Sequence, residues 1–145
     1  MSAEEQNWFR VLFEQSNDAI VIHRQGHIEE ANGRAAELLG FSREELVGME
    51  LATIIAPEQA ELGVAAQRTI QEQGSIRFET RLRRKDGAHV DVEISSRLVD
   101  PVAGTVQCVV RDITLRLRGE AVRQELETRM RASQRMESLG TLARG

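Results

Sequence analysis

From Ile76 to Leu98 the chain alternates between side chains that avoid water and side chains that seek it. Ile76, Phe78, Thr80 and Leu82 are separated by charged residues, and beyond Asp86 and Gly87 the set Val90, Val92, Ile94 and Leu98 repeats the pattern. Successive side chains of a strand point to opposite faces, so a period of two demands a hairpin with one buried face. Charge suggests the register. Pairing Leu82 with Val92 puts Arg83 opposite Asp91 and Arg81 opposite Glu93, whereas a shift of two sets Glu79 against Glu93. The expected loop is then Asp86, Gly87 and Ala88, with Gly87 free to take a left-handed conformation.

The face that this hairpin buries needs a cover, and the preceding residues supply it. Trp8 above Leu12 and Phe9 above Phe13 predict a short amphipathic helix over Asn7 to Glu14, which itself needs a partner surface. DAIVIHRQGHIEEAN reads as two short strands around Gln25 and Gly26, since Ile20, Val21 and Ile22 favour extended backbone. Asn32 is placed to cap the helix of GRAAELLG, which Gly40 ends. Ser42 with Glu45 forms a capping box for a further short helix that stops near Gly48. Pro57 suits a first helical position, and Glu58 to Gln73 continues a longer helix to Gly74. After the hairpin, Asp100, Pro101 and Gly104 mark a turn, and Val106 to Ile113 forms the last strand. Two strands, several small helices and three strands make an α+β domain: a five-stranded antiparallel sheet with helices gathered on one side.

A different pattern begins at Arg116. It has no proline, its charges alternate in sign, and its apolar residues fall at Val122, Leu126, Met130, Met136, Leu139 and Ala143. Thirty helical residues reach roughly 45 Å, more than a small domain can cover. The narrow stripe is therefore expected to meet a second copy in a parallel coiled coil. The two successive steps of four, Val122 to Leu126 to Met130, break a strict heptad and alter the local supercoil. The competing arrangement folds the helix back onto its own sheet. Gly119 and Gly140 each weaken a helix by on the order of 1 kcal/mol relative to alanine; either could serve as a hinge, but a merely tolerated glycine is the preferred reading. The expected domains are an amphipathic helix over 1–16, a folded domain over 17–115 and the coiled-coil helix over 116–145.

Composition narrows the functional classes. A net charge of −4 on 145 residues gives no electrostatic footprint for nucleic acid, and the basic run Arg81 to Lys85 reads as the solvated face of a strand. Cys108 is the sole cysteine, which rules out an internal disulfide and fits a reducing compartment. Neither a leader pattern nor an apolar run of membrane-spanning length is present, so a soluble, cytoplasmic chain is expected. No serine or cysteine lies in a nucleophile motif, and the carboxylates form no isolated acid and base pair.

The order of elements, together with DAIVIHRQGHIEEAN, NGRAAELLGFSREELVG, RLRRKDGAHVDVEIS and RDIT, resembles the PAS domain family over roughly Asn7 to Leu117. The resemblance implies a sensory fold in which Asp112, Ile113 and Thr114 join the last strand to an output helix and couple the two. The tail SQRMESLGTLARG is similar to the segment before the phosphoacceptor histidine of bacterial sensor histidine kinases. That implies a two-component parent with a downstream kinase domain, a response regulator and a phosphorelay. His23, His27 and His89 all lie outside that segment and no nucleotide-binding motif is recognisable, so the chain itself is not expected to be an enzyme.

Cofactors are weighed on the same resemblance. Flavin-binding relatives carry a photoreactive cysteine early in the helical region, and none stands between Gly48 and Pro57; haem-binding relatives commonly use a histidine on the long helix, and Pro57 to Gln73 has none. Neither cofactor is expected. His23 and His27 flank the first turn without the further ligands a metal needs. Cys108 alternates with Val106 and Val110 as a core residue does. What remains is an apolar pocket, with Ile20, Ile22, Leu39, Ile54, Ile55, Phe78 and Ile94 as candidate lining. The same residues make an ordinary core, which is the preferred reading. Aromatic content of 3% with no tyrosine leaves few rings to stack on a flat cofactor.

The function expected is that of a dimeric sensory module, passing a signal from its core to the helix bearing Val122, Leu126, Met130, Met136 and Leu139. Two alternatives stay open. One is a dimer spacer that senses nothing, and the other is an input domain for a different output, such as a cyclic-dinucleotide enzyme or a transcription regulator.

Overall fold

A computed structural model describes residues 2–144, with side chains described for 2–141. The chain divides into two units at Asp112, residues 1–112 and 113–145.

The first unit opens with α1 (Ala3–Glu14), capped by Ser2, followed by β1 (Ala19–Arg24) and β2 (His27–Ala31). Gln25 and Gly26 both take positive φ, which gives the tight primed turn that matches strand twist. Next come α2 (Gly33–Leu39), α3 (Arg43–Leu46), single 3-10 turns at Leu51–Thr53 and Pro57–Gln59, and α4 (Ala60–Gln73). The hairpin β3 (Ser75–Arg83) and β4 (His89–Asp100) and the strand β5 (Thr105–Asp112) complete the unit. The sheet is antiparallel in the order β2-β1-β5-β4-β3.

The caps form as the sequence predicts. Asn32 Oδ1 accepts the amide of Ala35 at 3.0 Å, Ser42 and Glu45 make a reciprocal capping box, and Gly40 and Gly74 end their helices with left-handed backbone. Pro57 starts a 3-10 turn rather than α4 itself, so the regular helix begins at Ala60.

The hairpin register differs from the expected one. Leu82 faces Val90 and Glu79 faces Glu93, a shift of two. The turn decides it. Gly87 donates to the Arg84 carbonyl at 3.0 Å and is left-handed at φ 87°, while Arg84 donates to Ala88 at 2.8 Å. That is a turn closed by a left-handed glycine, the usual three-residue connection, and its loop is Lys85, Asp86 and Gly87. The like-charged pair that argued against this register is relieved diagonally, since Arg77 Nη2 lies 2.9 Å from Glu93 Oε1. Arg81 Nε meets Asp91 directly at 3.3 Å.

Both edges of the sheet are covered by one connecting segment. At the β2 end, Ile28 donates to Met49 at 2.9 Å and Leu51 donates to Gly26 at 2.8 Å; at the β3 end, Arg83 donates to Ile54 at 2.8 Å and Ala56 to Arg81 at 3.2 Å. Leu51 and Ile54 are three residues apart, a reach of about 11 Å at most. Four strand spacings of about 4.8 Å would hold the edges of a flat sheet ~19 Å apart. The sheet therefore curls, and its concave face encloses a core of Val21, Ile28, Leu39, Leu46, Ile54, Ile70, Leu82, Val92 and Val106.

The α1 helix is tied down at one end. Phe13 is buried and stacks on Phe9 with ring centroids 5.7 Å apart, Glu14 pairs with Arg43 at 2.6 Å, and Trp8 and Leu12 remain exposed. The partner surface expected for this helix is thus met only at Phe13.

The second unit is one helix, α5 (Thr114–Arg144), of 31 residues. It begins two residues earlier than Arg116, and at about 1.5 Å per residue it extends about 46 Å.

Candidate functional site

The candidate site follows from the phase of the strands. In β1, Arg24 is exposed and His23 buried, so Ala19, Val21 and His23 share the inner face while Ile20 and Ile22 point to the outer one. From β3 and β4 the inner face receives Phe78, Thr80, Leu82, Ile94 and Ser96, and from β5 Cys108 and Val110. These side chains, with Leu39 from α2, Ile54 and Ile55 from the connecting segment and Gly63, Ala66, Gln67 and Ile70 from α4, enclose a cavity of about 80 Å³.

Five of the seven residues expected to line a pocket come together there: Leu39, Ile54, Ile55, Phe78 and Ile94. Ile20 and Ile22 do not, and the correction has a simple cause. The run Ala19 to Ile22 is apolar throughout, so hydrophobicity alone does not give its phase; counting back from the charged Arg24 does.

The same count finds the residue that sequence reasoning passed over as a cavity group. His23 is 2% exposed, lines the cavity, and its Nδ1 has no hydrogen-bond partner. Burial lowers its pKa from 6.5 to about 4, so the ring is neutral near pH 7. The other polar groups on the wall are uncharged. Thr80 donates to Gln59 at 3.1 Å, and Ser96 Oγ and Cys108 Sγ share a hydrogen bond of 3.1 Å. Burial pushes the Cys108 thiol up to about 11, which keeps it protonated and poorly nucleophilic.

A wider groove lies outside the cavity, between the Gln25–His27 turn, Glu50–Ala52 and α4. The two share Leu51, Ile55, Gly63 and Gln67, so these residues form the wall between them. A Cβ on Gly63 would stand 3.2 Å from Ile55 Cδ1, and the glycine lets α4 approach this closely.

Of the expected junction, Asp112 is the last residue of β5 and faces Val92, Thr114 is the first of α5, and Ile113 alone separates the two elements. Along α5, Val122, Leu126, Met130, Met136 and Leu139 are 53–74% exposed. Ion pairs one turn apart, Arg116 with Glu120, Arg123 with Glu127 and Arg129 with Glu125, line the rest of the helix. The sixth stripe residue, Ala143, lies outside the residues whose side chains are described.

No group of His, Cys, Asp or Glu suited to a metal ion occurs among the described residues, and no described helix is long and apolar enough to cross a membrane.

Comparison with known proteins decides the family, because the PAS domain model matches residues 17–115, the segment that builds sheet, helices and cavity. The chain belongs to the PAS domain family. Over 139 residues the chain is 29% identical to the methyl sulfide methyltransferase-associated sensor of Methanosarcina acetivorans; the match takes in 94% of this chain and spans 14% of that protein. Among solved structures, the PAS domain of a two-component sensor histidine kinase is similar at a TM-score of 0.67 and 22% identity, covering 77% of this chain and 99% of that one. A PAS domain of a LuxR-family transcriptional regulator from Burkholderia thailandensis, in complex with ethanol, is similar at a TM-score of 0.65 and 18% identity, covering 73% and 97%. At these identities the solved structures speak for the fold, and this PAS domain shares it.

Proposed function

We propose that this PAS domain is the input module of a sensor histidine kinase, which converts occupancy of its cavity into a change in a paired α5 helix. The observation that carries the proposal is the stripe of α5. Its five large apolar side chains, Val122, Leu126, Met130, Met136 and Leu139, stand exposed along one helix of 31 residues, and a second copy in parallel register would cover them. Asp112, Ile113 and Thr114 are the proposed relay. A ligand drives such a relay only if it binds one arrangement of the pair better than the other.

Two comparisons support the reading. The curated relative bears the name of a sensor, and a match over 94% of this chain runs well into α5. The kinase PAS domain shares the fold and most of the folded unit. A parent kinase would supply the phosphoacceptor, the nucleotide-binding domain and the response regulator; this chain, held in the cytoplasm, would supply dimerisation and sensing. A cavity of about 80 Å³ is far below the several hundred Å³ usual for drug-sized ligands, which supports a sensor without haem or flavin.

Sedimentation velocity tests the pairing. At tens of micromolar the native chain is expected to sediment as a dimer and Leu126→Glu as a monomer. A native monomer, or a Leu126→Glu chain that associates unchanged, contradicts the proposal.

A further inference from the structure

The cavity contains a feature that an ordinary apolar core lacks. His23 is almost completely buried, and one of its ring nitrogens is left without a partner in a wall otherwise built of apolar surface. Such an orphan is costly, whereas an apolar ring of similar shape at the same place would carry no such penalty. None of the neighbouring polar groups bonds this nitrogen. Ser96 and Cys108 bond to each other, Thr80 donates to Gln59, and Gln67 is the remaining polar side chain of the wall. A lone water is a poor answer, because a buried water needs two to four polar partners and the surface that the cavity exposes is almost wholly apolar.

Size and charge limit what else could sit there. About 80 Å³ is roughly half the volume of an engineered apolar cavity that accepts benzene, so the occupant has a handful of non-hydrogen atoms. The wall carries no charged side chain, so a desolvated ion would find no counter-charge. A neutral imidazole presents either N–H or a lone pair at Nδ1, and a hydroxyl can answer both.

We propose that the cavity binds a small neutral molecule with a short apolar chain and one hydroxyl group, its hydroxyl on His23 Nδ1 and its chain against Leu39, Ile54 and Ile70. The wall of Leu51, Ile55, Gly63 and Gln67 is the way in, because it separates the cavity from the outer groove. This assignment rests on the sensory reading above and names the class of signal.

The test is an NMR titration of the ¹⁵N-labelled full chain with 1-propanol, using propionate and propylammonium as charged counterparts. Saturable shifts at the amides of His23, Ser96 and Cys108 are expected with 1-propanol and not with either ion. His23→Phe, which removes the orphan nitrogen and keeps a ring, is expected to weaken 1-propanol binding at least about tenfold. Ala66→Leu, which fills the cavity, should abolish it; His23→Phe carries the test should that chain not fold. Shifts that never saturate, equal binding to His23→Phe, or preference for an ion would overturn the assignment. If the assignment fails but native mass spectrometry finds another molecule carried in the chain, the class is wrong and the sensory reading stands. If neither 1-propanol nor any carried molecule binds, both fall.

Discussion

At the scale of single residues, two buried polar side chains have opposite characters. Asn32 is fully buried and fully used: it accepts from Ile20 and Ala35 and donates to the carbonyls of Phe13 and Asp18. His23 is as deeply buried and has an idle nitrogen. Its pH dependence follows from that burial. The unfolded ring binds a proton near 6.5 and the folded ring near 4, so between these values the unfolded state holds the extra proton and stability falls as pH falls. The loss begins near pH 6.5 and levels off near 4. Urea denaturation of the native chain against His23→Phe should show a difference that grows by up to about 3 kcal/mol across this window. A pH-independent difference would mean that the ring is hydrated in the folded chain. His23 was legible in the sequence only through the phase of β1, because a histidine beside four apolar residues gives no sign of which face it takes.

At the scale of elements, Asn32 joins α1, β1 and α2, and its loss should be felt in all three. Asn32→Ala removes a helix cap, leaves the buried Phe13 carbonyl, the half-buried Asp18 carbonyl and the Ile20 amide without their side-chain partner, and is expected to cost about 3 kcal/mol or more in chemical denaturation. A cost below about 1 kcal/mol would show that the network relaxes onto water. Caps, glycine stops and strand alternation were readable because each is a local rule satisfied within a few residues. The β3 and β4 register was not. Charge pairing between exposed side chains is worth at most about 1 kcal/mol, and the geometry of the Lys85 to Gly87 turn outweighs it. The cover over both sheet edges also escaped the sequence, since Met49, Leu51, Ile54 and Ala56 act there through backbone groups that every residue type carries.

At the scale of the whole molecule, a curled sheet surrounds a small cavity, and the helix that follows carries an exposed apolar stripe that we propose a second copy covers. Composition, the hairpin and the run of short helices were enough to read the family, because the PAS order of elements is written in caps and turns. The paired helix is the claim on which the signalling role depends, and zero-length oxidation tests it most directly. Met130→Cys lies on the stripe, Arg131→Cys stands roughly 140° around the helix from Leu126, and Cys108 is buried out of reach. Two cysteines bridge only when their Cα atoms lie within about 7 Å. On mild oxidation of the full chain, Met130→Cys is predicted to form a covalent dimer far faster than Arg131→Cys. Equal, slow crosslinking at both positions would contradict a parallel pair of α5 helices.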